Sequence, residues 1–250
     1  MKKQNCLLLV VMAMFVMGFV SCSSQRANAK TVTYDKDAQT RTYELGSFDK
    51  IDMSGASTIH FVQGANQSVK ARSTSGHLDR LKLEVKGGHL YVKIVGEGSV
   101  RVSDDYDIYI TAPKLTALKV SGVGTFQAQS LETKHFELNV SGVSNFKVGQ
   151  LKCDDTRIVV SGVGNVCTSV MGDNLYIQSS GVSNNDIKFK GKVADIHNSG
   201  VGSTTVDLDC DELKAQNSGQ STLKLKGHAD KTNINSSGLS SIDTSNLNQY

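Results

Sequence analysis

The chain has 250 residues, with 23 glycines, one proline and no tryptophan, and its 27 lysines and arginines against 24 acidic residues leave a formal charge of +3. That length holds one or two domains and can bury a sizeable core. No run of like charges exceeds a few residues, which speaks against a nucleic-acid partner, because such a surface needs a dense basic patch. Abundant Gly, Val, Thr, Ser and Asn with almost no Pro favour an all-β architecture.

Residues 1–21 read as a lipoprotein signal peptide. Lys2 and Lys3 form a positive start, and Leu7–Val20 is an apolar run of 14 residues, too short for an ordinary membrane span. The following "FVSCSS" resembles a bacterial lipobox, in which Cys22 would be acylated and become the new N-terminus. Several acyl chains at about 0.8 kcal/mol per buried CH₂ would anchor the chain stably in a membrane. The alternative is an ordinary secretory signal cut near Ala27–Ala29, with Cys22 incidental. Losing Lys2 and Lys3 leaves 25 basic and 24 acidic groups, a net charge of +1. Residues 22–40 then form a hydrophilic tether. The expectation is an exported, membrane-anchored lipoprotein of the cell envelope, periplasmic or outer-membrane, with the face it occupies left open.

Residues 41–113 read as an N-terminal β region. "RTYEL", "STIHFVQ", "SVKAR" and "DYDIYITAP" are strand-like, and "VKGGHLYVKI" carries a Gly-Gly turn between two alternating segments, a hairpin signal. This region does not follow the period that begins after it, so it is expected to serve as an irregular cap.

From residue 114 the chain repeats. "VSGVGTF" at 120–126 is followed by "VSGVSNF", "VSGVGNV", "SSGVSNN", "NSGVGST", "NSGQSTL" and "SSGLSSI". The Ser-Gly glycines are Gly122, Gly142, Gly162, Gly181, Gly200, Gly219 and Gly238, spaced by 19 or 20 residues. Apolar side chains stand three residues before each serine, and apolar side chains or threonine five before, with mostly polar ones between, the alternation of a half-buried strand. A second strand follows each glycine, with Phe126, Phe146, Val166, Asn185, Thr204, Leu223 and Ile242 four residues on. No unit holds a helical pattern. A fixed short period with strands only predicts a right-handed parallel β-helix (solenoid) of about seven coils over 114–250, continuous with 41–113 as one domain. Each Ser-Gly is then a corner, where glycine would supply a positive φ and serine a hydrogen bond to the adjacent coil. The residue before each serine changes from Val120, Val140 and Val160 to Ser179, Asn198, Asn217 and Ser236, which predicts an apolar stack giving way to a polar ladder.

Three stretches, "FDKIDMSGASTIHFVQG", "LKLEVKGGHLYVKI" and "YDIYITAPKLTALKVSGVGTF", resemble the GIN domain, known as the putative auto-transporter adhesin head domain. The resemblance covers about 48–245, and Pro113 and Leu115 match it at the entry to the first regular coil. It implies a β-helical envelope protein of Gram-negative bacteria and brings no catalytic residues with it.

Direct chemistry is sparse. "GVGTFQ" lacks the third glycine and the helix of a dinucleotide loop. There is no Cys-x-x-Cys, no HExxH and no cysteine–histidine zinc spacing, so neither a metal nor a cofactor is expected. Cys153, Cys167 and Cys210 read as small buried hydrophobes, and an odd number of thiols leaves at least one unpaired within the chain. The carboxylates Asp104-Asp105, Asp154-Asp155 and Asp209 with Asp211-Glu212 read as solvated loop residues. The better candidate surface is the outward ladder carrying Lys119, Asn139, Gln178, His197 and Gln216, with Tyr176 beside it and Glu137, Arg157, Asp195 and Lys214 flanking. The leading expectation is a non-enzymatic binding or adhesion module for glycan or protein ligands, the protein partner belonging to the envelope or the host. A carbohydrate-active enzyme using Asp154/Asp155 and Asp209/Asp211, and a structural envelope protein without a soluble ligand, are the alternatives. The open C-terminal edge, ending "SIDTSNLNQY", leaves room for an end-to-end homodimer.

Overall fold

The computed structural model describes residues 39–73, 78–95 and 106–248. Cys22, the segment read as a signal peptide, most of the stretch read as a tether, His77 and Asp104-Asp105 lie outside the described residues. Within them the chain folds into one continuous sheet wound into a parallel β-solenoid of about seven turns. The strands are β1 (Gln39–Tyr43), β2 (Lys50–Met53), β3 (Ala56–Gln63), β4 (Ser68–Ser73), β5 (Leu81–Lys86), β6 (His89–Ile94), β7 (Tyr106–Ala112), β8 (Ala117–Val120) and β9 (Val123–Val140). They continue as β10 (Val143–Val160), β11 (Val163–Met171), β12 (Asn174–Ser179), β13 (Val182–Asn198), β14 (Val201–Asn217), β15 (Gln220–Ser236) and β16 (Ser241–Asn248).

Each coil has three sides. In the coil of β9, residues 123–128 form one side, 130–133 a second and 135–140 a third, and each pairs in parallel with residues twenty further on in β10. Burial alternates along the strand, so Phe126, Ala128, Leu131, Phe136, Leu138 and Val140 all point inward. Identical positions stack. Phe126 lies on Phe146 with ring centroids 5.6 Å apart and planes 7° from parallel, and Phe61 lies on Phe126 at 5.9 Å. Each such side chain contributes about 1.5–3 kcal/mol on burial.

The corner works differently from the expectation of positive φ. Among the seven corner glycines only Gly219 and Gly238 have it. What excludes a side chain at Gly142, Gly162, Gly181 and Gly200 is the coil below: a Cβ would collide with the backbone carbonyl oxygen of the preceding corner glycine. That carbonyl points up because it accepts the next coil's amide, as in Val143 N–H to Gly122 O at 2.9 Å and Val163 N–H to Gly142 O at 2.9 Å. The serine does bond to the adjacent coil, Ser161 Oγ donating to Val140 O at 3.3 Å.

The core changes character along the axis as the residues before the serines suggest. Ser179 and Ser183 hydroxyls lie 2.6 Å apart, and Asn198 Nδ2 donates to Asn217 Oδ1 at 3.0 Å. Asn185 Nδ2 donates to Ser183 and Thr204 at 3.1 Å each. Stacking supplies acceptors to the buried NH₂ groups of Asn185 and Asn198, while Asn185 Oδ1 is left without a partner.

The region read as an irregular cap holds a regular coil of its own. Ser54-Gly55 is an eighth corner, directly below Ser121-Gly122: β2 pairs in parallel with β8, Met53 opposite Val120, and β3 with β9, Ala56 opposite Val123. The insertion between them supplies the cap proper. β7 pairs in parallel with β3, β4 and β1 add antiparallel, and the β5–β6 hairpin stacks on β2. Its turn, Gly87-Gly88, has φ of 58° and 78°, as a two-residue hairpin requires. Gln63 closes the middle side, accepting from Glu132 N–H at 2.7 Å and donating to Glu132 O at 2.8 Å. The opposite end has no such cover among the described residues, and Leu239 there is 82% exposed.

Two of the cysteines are core residues as expected. Cys153 and Cys210 are buried free thiols. Cys167 departs from the expectation: it is half-buried on the outward side of β11 and is disulfide-bonded.

Candidate functional site

The register places the ladder residues in one line across the coils. Lys119 pairs with Asn139, then Val159, Gln178, His197, Gln216 and Asn235 follow in consecutive rungs. Tyr176 stands one column over, between Arg157 and Asp195. These columns alternate with the buried positions of each strand, so their side chains point away from the core.

At the centre the side chains hold one another. The Arg157 guanidinium lies 4.2 Å from the Tyr176 ring centroid. The Tyr176 hydroxyl donates to Gln178 Oε1 at 3.0 Å. The His197 ring sits 5.6 Å from that of Tyr176, and His197 Nε2 lies 2.9 Å from Asp195 Oδ1. Arg157 and Asp195, which the sequence marks only as flanking, are what orient Tyr176 and His197. Lys119, Asn139 and Gln216 lie in the same line but outside this cluster; Asn139 bonds to Glu137 at 3.0 Å. A cation over an aromatic face contributes about 0.5–1 kcal/mol at an exposed site, enough to favour one orientation of the ring. The result is a fixed aromatic surface ringed by hydrogen-bonding groups, on a flat sheet rather than in a cleft.

The model of the family described as "Putative auto-transporter adhesin, head GIN domain" matches residues 47–189 and 182–249. The chain belongs to the GIN-domain family. No curated protein matches it. A solved structure from Bacteroides fragilis, described as a putative adhesin, is 22% identical with a TM-score of 0.73, covering 84% of this chain and 97% of that one. A putative lipid binding protein from Parabacteroides distasonis is 17% identical with a TM-score of 0.57, covering 84% and 97%. A putative adhesin from Parabacteroides merdae is 14% identical with a TM-score of 0.54, covering 84% and 96%. At these identities the likeness is one of fold.

The carboxylates of this GIN domain do not converge. Asp155 accepts from Asn174 at 2.7 Å and lies 2.9 Å from His135, while Asp209 is paired with Lys190 at 2.6 Å. Asp154 and Asp211 stand three coils apart on one corner, roughly 14 Å at strand spacing. A depression of about 420 Å³ gathers Cys210, His228 and Asp230 with Lys190, Asp209 and Asp211. It does not make a nucleophile. Burial, with Asp211, Asp209 and Asp230 nearby, pushes the Cys210 thiol up to about 11, away from the thiolate that reacts. Lys190 holds the Asp209 carboxyl below its ordinary value, the wrong direction for a general acid. Among the described residues no group of three or more His, Cys, Asp or Glu is placed to hold a metal ion.

Proposed function

We propose that this GIN domain is a lipid-anchored, non-enzymatic adhesion module of the cell envelope, and that it holds glycan or protein ligands on the side of the solenoid carrying Tyr176. The observation that carries the reading is the cluster of Arg157, Tyr176, Gln178, Asp195 and His197. With Arg157 over one face of the ring, the exposed part of Tyr176 can pack against a sugar or a peptide side chain while its polar neighbours bond to the ligand. The family name and the adhesin descriptions of the solved relatives support the class, and "FVSCSS" supports the anchor. A glycan and matrix-protein array probed with the 31–250 fragment tests the binding; Thr33–Tyr250 forms one unit by its internal contacts. Enriched ligands are the expected result, and a blank array would favour the structural reading. Replacing Cys22 with Ala should move the protein out of the membrane fraction of cells, and a protein that stays there is not anchored through Cys22.

A further inference from the structure

The side that follows each corner carries an unusual surface. Val123, Val143, Val163, Val182 and Val201 stand in register on consecutive rungs, each 49–56% exposed. They form half of the exposed large hydrophobic residues of the described chain. The corner serines flank them on one side and a column of Thr, Asn and Ser on the other. These three columns hold no charged residue from Ser54 to Thr222, whereas the other two sides carry Glu137, Arg157, Asp195 and Lys214, or Glu132, Lys152, Lys190 and Asp209.

The columns are also nearly symmetric about the Val163–Asn165 rung, broken only by Thr125 against Ser203 and Ala56 against Gln220. Asn165 is central, Asn145 and Asn184 come next, then Thr125 and Ser203, then Thr58 and Thr222. The valines repeat that symmetry, Val143 with Val182 and Val123 with Val201. One column further out, Lys147 and Asp186 lie one rung either side of Cys167, which is disulfide-bonded, and His60 and Lys224 lie three rungs either side of it. A two-fold axis along the strands through this rung would turn each column onto itself and set Lys147 of one copy against Asp186 of the other, twice.

We propose that this side is an isologous interface between two copies of the chain, packed face to face with their solenoid axes antiparallel. An isologous contact must be self-complementary, and a charge-free band edged by the reciprocal Lys147–Asp186 pair meets that condition, with Lys224 falling opposite His60 at the outer rungs. Seven rungs at ~4.8 Å and three column steps of about 6.6 Å cover roughly 600 Å² per copy. This is somewhat below the ~800 Å² per partner of a standard interface, so the association should be reversible and of micromolar strength. The pairing leaves the Tyr176 side of both copies free and doubles the number of ligand sites per assembly.

Sedimentation of the purified full chain in detergent tests this. The wild type should be a dimer at micromolar concentration. Val163→Lys, which places two ammonium groups together on the axis, should weaken it about a hundredfold without changing the melting temperature, since the residue points outward. Lys147→Asp and Asp186→Lys should each weaken the dimer, and the two together should restore it. A monomeric wild type overturns the proposal. A dimer indifferent to Val163→Lys overturns it in favour of end-to-end stacking at the C-terminal edge. Failure of the double reversal to restore association overturns the two-fold arrangement. A monomer whose Val163→Cys thiol is shielded only by added neutral dextran overturns it in favour of a glycan on this side.

Discussion

Replacing Gly162 with alanine should cost about 3 kcal/mol or more, the upper end of the cost of forcing extra bulk into a packed interior. The collision is with the Gly142 carbonyl oxygen, and the atoms behind it belong to the Ser141 backbone. Neither can rotate away as a side chain could. The oxygen is also held in place by the Val163 amide at 2.9 Å, so relief means breaking a rung. At roughly 2–4 °C per kcal/mol for a chain of this size, the melting temperature should fall by about 10 °C. Gly164 provides the control two residues away. A Cβ there would lie 3.3 Å from Ser144 O, and serine already occupies the same column at Ser144 and Ser183. Gly164→Ser should therefore cost below about 1 kcal/mol. Equal effects at the two positions would mean that the corner is not closed by carbonyl contact.

Phe146→Ala is the second large effect, at about 3–5 kcal/mol. Phe146 is 2% exposed, stacks on Phe126 at 5.6 Å and meets Phe136 at 5.9 Å. Removing it leaves a cavity bounded by two aromatic rings fixed on different sides of the neighbouring coil, both in β9, which cannot collapse without shifting a rung. Because each coil contacts only its neighbours, amide hydrogen exchange should rise first in β9, β10 and β11 and least in β14 and β15. Val143, three residues earlier and half exposed, gives the contrast: Val143→Ala should stay within about 0.5 kcal/mol. A uniform rise in exchange along the chain would contradict the solenoid picture of local coupling.

The period made the coils readable from sequence because stacking imposes the same requirement at every turn. The eighth corner, Ser54-Gly55, escaped because the capping insertion separates it from Gly122 by 67 residues, so spacing carried no signal although "MSGAS" resembles its partners. Five of the seven corner glycines lack the positive φ expected of them: conformational freedom and close approach of another backbone both demand glycine, and only the stacking of the coils tells them apart. The Val after each glycine reads as part of a strand, but its side cannot be assigned from hydrophobicity, because the alternation that buries Phe126 exposes Val123. The line of Lys119, Asn139, Gln178, His197 and Gln216 was legible from the register of the repeat. That Arg157 covers Tyr176 was not, since rotamers across neighbouring coils decide it. Cys167 sits outward for the same parity reason as Val123, one column pair further along its strand.

The account rests on the corners building the protein and a side between corners doing the binding. The most direct measurement is the affinity of the 31–250 fragment and its Tyr176→Ala variant for a ligand returned by the array, taken beside their melting curves. The expected result is a loss of about tenfold or more in affinity, 1.4 kcal/mol at least, with melting unchanged within about 2 °C. Equal affinity of the two proteins, or loss of binding only together with loss of fold, would contradict it.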